Sequence, residues 1–104
     1  MSEDAILQFL DEATEVAAEE LLAASGLERA ELVELVELGV FHPSGTQATA
    51  WRFSSRAIWL GRRAARLRDD FGLNPSGMAL ALAYLERIDE LERRLRELEC
   101  QMLR

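Results

Sequence analysis

Residues 19–38 read EELLAASGLERAELVELVEL, and the fold turns on this stretch. Its first part, about Glu19–Ser25, predicts a short helix that stops at Gly26, a residue suited to the left-handed conformation that ends helices. After a tight turn the spacing predicts a second helix over about Glu28–Leu38, with Leu32, Val33 and Val36 facing inward. Two short helices joined by a glycine-containing turn make a helix-turn-helix. In such a motif the second helix reads DNA, and here that segment, Leu27–Leu38, carries Glu28, Glu31, Glu34 and Glu37 at strict three-residue spacing. DNA-binding proteins draw most of their affinity from Lys and Arg on phosphates. Carboxylates on that helix repel a phosphate backbone. The scaffold is a DNA reader's, and its charge calls for a protein partner.

The same imbalance runs through the first half of the chain. Residues 1–50 hold eleven carboxylates against one arginine, Arg29, a net of −10. Residues 51–104 hold eleven arginines against eight carboxylates, a net of +3. Six of those arginines fall between Arg52 and Arg68 with no acid among them. A length of 104 residues predicts a single domain, 1–104, with an ordinary globular composition. No run approaches the roughly 20 apolar residues that span a bilayer. Met1-Ser2-Glu3-Asp4 has neither the basic flank nor the apolar run of a signal peptide, so a cytoplasmic protein without membrane association is expected. The lone cysteine, Cys100, forms neither an internal disulfide nor a metal cluster.

Upstream of the helix-turn-helix, Ala5–Ala18 fits either one helix, with Ile6, Phe9, Leu10, Ala13, Val16 and Ala17 as its stripe, or two short strands. Downstream, Gly39 stops the second helix and Ser44-Gly45-Thr46-Gln47 is turn chemistry. Ala48–Phe53 alternates, placing Thr49, Trp51 and Phe53 on one face of a short wing strand. A helix capped by Ser54 or Ser55 then runs to about Phe71, with Ala57, Leu60, Ala64, Leu67 and Phe71 inward. Arg56, Arg62, Arg63 and Arg66 cluster on another of its faces around Trp59. Asn74-Pro75 opens a final helix, about Pro75–Leu103 and roughly 40 Å long at 1.5 Å per residue. The body thus covers 1–73 and the long helix 74–104. From Tyr84 onward that helix carries a heptad stripe, Ile88, Leu91, Leu95, Leu98 and Met102, for which a second copy of the chain is the expected cover. Glu90–Arg94 and Glu92–Arg96 are favourable pairs four residues apart. Arg87 and Arg94 at g with Glu92 and Glu99 at e suit parallel pairing, which leaves parallel and antiparallel seams both open.

The stretches from Glu20 to Pro43 and from Trp51 to Glu99 resemble the CbpM family of chaperone modulators, within the MerR-like winged helix-turn-helix superfamily. The most specific part is ARLRDDFGLNPSGMALALAYLERIDELE, residues 65–92. Gly39-Val-Phe-His-Pro43 and Trp51-Arg-Phe53 match the elbow and wing of that scaffold. DNA-binding members resemble one another in an Arg and a Tyr near the end of the reading helix, where this chain has Val36-Glu37. The resemblance implies a mostly all-α fold with a short β-wing and a long C-terminal helix. It also implies that residues before Glu19 are partly strand, pairing near the wing. MerR-like dimers resemble one another in an antiparallel seam. The implied activity is binding to the J-domain of a CbpA/DnaJ-like co-chaperone, whose basic second helix and His-Pro-Asp loop otherwise engage Hsp70, and hence inhibition.

Glu28, Glu31, Glu34 and Glu37 are the candidate partner surface, against the plainer reading of a solvated helix face. The arginine face is read as internal pairing, with a small DNA-binding regulator as the alternative function. His42 has no nucleophile or acid placed beside it, and Trp51 and Phe53 read as wing core. No phosphate loop, ligand-spaced His/Cys set or nucleophile–base pair is present. Neither an enzyme nor a cofactor is expected.

Overall fold

A computed structural model describes residues 14–103. Along them run β1 (Glu15–Ala17), α1 (Ala18–Ser25), α2 (Arg29–Glu37), a 3-10 turn (Ala48–Ala50), β2 (Arg52–Ser54), α3 (Arg56–Phe71) and α4 (Pro75–Met102). β1 and β2 pair antiparallel, with Val16 opposite Phe53. Ser44 and Arg52 add a bridge by exchanging both backbone hydrogen bonds, at 2.9 and 3.1 Å. The strand expected before Glu19, beside the wing, is therefore present at Glu15–Ala17, while residues 5–13 of the ambiguous Ala5–Ala18 segment lie outside the described residues.

The helix boundaries follow from local chemistry. Gly26 takes φ 84° and its N–H donates to Leu22 O, closing α1 in the left-handed turn that the sequence predicts. The Glu31 carboxylate accepts from the Glu28 N–H at 2.9 Å, satisfying one of the orphan donors at the start of α2. Asn74 Oδ1 accepts from the Gly77 N–H at 2.8 Å, and Pro75 occupies the first turn of α4. Ser55 stands before α3, but its hydroxyl makes no capping bond.

Leu21, Leu32, Leu35 and Met78 are the largest fully buried side chains, each contributing about 1.5–3 kcal/mol of transfer free energy. They join α1, α2 and α4 around Phe41 and Phe53, whose rings meet edge to face at 6.0 Å. Trp51 stacks edge-on against Phe53 at 6.1 Å, the wing packing expected of it. Gly61 lets α3 approach α1: a Cβ there would stand 2.8 Å from Ser25 Cβ.

Three expectations need correction. The wing strand does not span Ala48–Phe53, because Ala50 N–H bonds to Gln47 O at 2.9 Å and winds Ala48–Ala50 into a 3-10 turn. Only Arg52–Ser54 remains strand, and Thr49 is exposed. On α2 the buried pair is Leu32 and Leu35, with Val33 and Val36 on the flanks of that contact. Phe71 is 71% exposed, because the inward turn before it is taken by Arg68, which meets the α1–α2 turn.

Candidate functional site

Exposed Glu28, Glu34 and Glu37 give α2 a negative outer face. Its one cation, Arg29, is bonded to Glu19 of α1 and adds no free positive charge. Glu31 differs from the other three. Its carboxylate takes the Arg68 guanidinium at 2.6 Å besides the Glu28 N–H, and the side chains of the pair are only 26% and 14% exposed for Arg68 and Glu31. Sequence spacing put all four glutamates on one footing, whereas packing sets Glu31 aside as a brace. The cue was Glu31 in the third turn position after Glu28, the spacing of a capping box.

The arginine-rich stretch divides in the same way. Arg62 Nε donates to Ala24 O at 3.0 Å, and Arg68 Nη1 donates to Gly26 O at 3.2 Å. Both cap carbonyls at the C-terminal end of α1, where orphan acceptors and the helix dipole favour cations. Asp69 and Glu31 hydrogen bonds hold the Arg68 guanidinium above its already high ordinary pKa. Arg63 reaches Asp89 of α4 at 3.5 Å, and Arg52 stands 4.0 Å from Glu15. Only Arg68 and Arg52 meet acids of the first half. Arg56 and Arg66 have no ion-pair partner among the described residues.

The third surface lies on α4. Tyr84, Ile88, Leu91, Leu95, Leu98 and Met102 are all exposed, from 47% at Leu91 to 84% at Met102. Leu80, four residues before Tyr84 and likewise exposed, extends the stripe one turn beyond what the heptad reading took in. The opposite row of α4 begins in the core as Met78 and Leu82 and continues as Glu86, Asp89, Arg93 and Arg96. The two rows sit about 200° apart at 100° per residue. Where the body ends, the row that faced it turns charged, and the apolar row lies on the far side. Glu90 binds Arg87 at 3.1 Å and Arg94 at 2.8 Å, and these contacts, Arg87's hydrogen bond foremost, hold its carboxyl below the ordinary value of 4.5. The expected Glu92–Arg96 pair does not form.

Among the described residues no His, Cys, Asp or Glu group is placed to hold a metal, and no helix is long and apolar enough to cross a membrane. His42 and Cys100 are both exposed. The surfaces suit binding: a negative helix face, an exposed apolar row and an arginine-rich face.

A winged helix-turn-helix with a long terminal helix defines the class. Residues 16–100 match the model of the MerR HTH family of regulatory proteins, and the chain belongs to that family, in the chaperone-modulator branch that its sequence resembles. It is 37% identical over 81 residues to the chaperone modulatory protein CbpM of Coxiella burnetii (strain Dugway 5J108-111), covering 78% of this chain and 76% of that one. With the protein of the same name from Escherichia coli O1:K1 / APEC the identity is 38% over 80 residues, covering 77% and 79%. With that from Pseudomonas putida (strain W619) it is 42% over 60 residues, covering 58% and 59%. These names describe regulatory and modulatory proteins, not catalysts.

Proposed function

We propose that this chain is a chaperone modulator that acts by stoichiometric binding: it occupies the J-domain of a CbpA/DnaJ-like co-chaperone and lowers stimulation of Hsp70. The observation that carries this reading is the outer face of α2. Exposed Glu28, Glu34 and Glu37 stand where a DNA reader needs cations, and the one arginine of that helix is neutralised by Glu19. A negative surface speeds encounter with a basic partner and makes the on-rate sensitive to salt. Glu31 supports the face from behind, so the binding set narrows to the other three. The relatives' name, chaperone modulatory protein, supports a partner in the chaperone system.

Self-association through α4 belongs to the same proposal. An antiparallel seam that layers a against d′ sets Tyr84 against the copy's Met102, Ile88 against its Leu98 and Leu91 against its Leu95. Such a seam brings g positions together, which two bare arginines would oppose. Here Arg87 and Arg94 are both held by Glu90 on their own helix, so that repulsion is softened. The cytoplasm is the compartment in which J-domains and Hsp70 would be met.

The alternative, a small DNA-binding regulator, finds less support. Of the arginines from Arg52 to Arg68, four are engaged with carboxylates or helix-end carbonyls. Titration of the purified chain with an isolated J-domain, beside a gel shift on duplex DNA at low salt, separates the two. Saturable J-domain binding with no DNA retardation is expected. Sub-micromolar retardation without J-domain binding reverses the assignment.

A further inference from the structure

We propose that the cleft between α3 and α4 is a docking site for an acidic amphipathic segment of a protein partner, distinct from the α2 face and from the apolar seam. This goes beyond the J-domain reading and does not rest on it. The cleft has a volume of about 1170 Å³, and buried Phe41, Phe53 and Leu82 contribute an apolar floor. Its lining arginines Arg56, Arg62, Arg66, Arg93 and Arg96 have no ion-pair partner among the described residues. Of the lining acids, Asp89 is held by Arg63, and Glu90 by Arg87 and Arg94. That leaves Glu86 and Glu92 as the carboxylates without an ion pair among the described residues. With Arg62 kept by Ala24 O, four uncommitted guanidiniums, Arg56, Arg66, Arg93 and Arg96, face two acids in a chain whose net charge is −7.

A guanidinium fork matches a carboxylate bidentately, which makes side-chain carboxylates a fitting counterpart. Half-buried Trp59 lies on the same wall and adds a flat apolar contact. From Leu82 to Arg96 the α4 wall runs about 21 Å, the length of a four-turn helix. Nucleic acid fits less well, because a sugar–phosphate backbone has no apolar face to set on Phe41, Phe53 and Leu82, whereas an amphipathic helix does. The row Leu82, Glu86, Asp89, Arg93 lies half a turn away from the apolar stripe. The cleft therefore stays open when that stripe is covered, and an acidic segment can bind while α2 holds something basic.

The test uses the full chain, with the Trp59 indole N–H observed by NMR, and needs no co-chaperone. The probe is a short synthetic helix of glutamate and leucine, with a lysine-and-leucine twin as control. Saturable binding of the acidic helix at low salt is expected, with a shift at Trp59 and none from the basic twin. Arg56→Glu with Arg66→Glu, both at residues outside any ion pair, is expected to weaken it about tenfold or more at an unchanged melting temperature. Glu34→Gln is expected to leave it unchanged. Absence of saturation, indifference to the charge reversals, or preference for single-stranded oligothymidylate overturns the proposal. So does binding that appears only after Glu3, Asp4, Asp11 and Glu12 are changed to Gln, which would give the cleft to the chain's own first residues.

Discussion

Arg68 reaches from the last turn of α3 to Gly26 O at 3.2 Å and to Glu31 at 2.6 Å, tying three helices together with one guanidinium. Removing it leaves the Glu31 carboxylate half-enclosed and the α1 end uncapped. Arg68→Ala is expected to cost about 2 kcal/mol in a denaturant titration, the range for hydrogen bonds to charged groups. Reversing Glu31 to Arg would set two guanidiniums against each other, so it tests the fold rather than the partner. The informative pair is Glu34→Arg with Glu37→Arg, both exposed. J-domain affinity is expected to drop about tenfold and to lose its salt dependence, with stability unchanged. Gly61 tests packing separately. A methyl there meets Ser25 Cβ at 2.8 Å, so Gly61→Ala is expected to destabilise by about 1–2 kcal/mol, overpacking outweighing the gain in helix propensity.

At the scale of elements, α4 shows what the sequence disclosed and what it withheld. Its Asn74-Pro75 start and its apolar row, like the Gly26 stop of α1, follow from local rules that act within a turn or two. Which glutamate or arginine becomes a brace depends on the helix packed across from it. Glu31 and Arg68 are 37 residues apart, and no spacing rule links them. Phe71 failed for the same reason, since periodicity assigns a face but not where the neighbouring element ends. The wing strand shrank because alternation cannot tell a strand from a 3-10 turn that ends in one. Acid provides a test of α4 itself. Glu90 titrates below 4.5 while paired, so its contribution is complete above that pH and is lost as pH falls through the lower folded value. Thermal scans of the full chain are expected to show this loss below about pH 4.5, and Glu90→Gln is expected to lessen it.

For the whole molecule, the radius of gyration of 15.5 Å exceeds the ~13 Å of a compact chain of this length. The excess is the outer half of α4, whose leucines face solvent. A pair of substitutions there, Leu91→Glu with Leu95→Glu, is expected to convert a dimer into a monomer in sedimentation equilibrium, with the helical signal of the body retained. A wild-type chain that sediments as a monomer at micromolar concentration would remove the seam. The acidic helix, the positive cleft and the apolar row occupy three separate places on one small body, an arrangement suited to holding partners.

The most direct measurement is the affinity of the purified chain for an isolated J-domain of a DnaJ-like co-chaperone, taken at low and near-physiological salt and repeated with Glu34→Arg/Glu37→Arg. Saturable binding that weakens with salt, and that falls about tenfold and loses its salt dependence in the variant, is the expected result. Tight binding of duplex DNA near physiological salt through α2, with no J-domain binding, is the contradicting one.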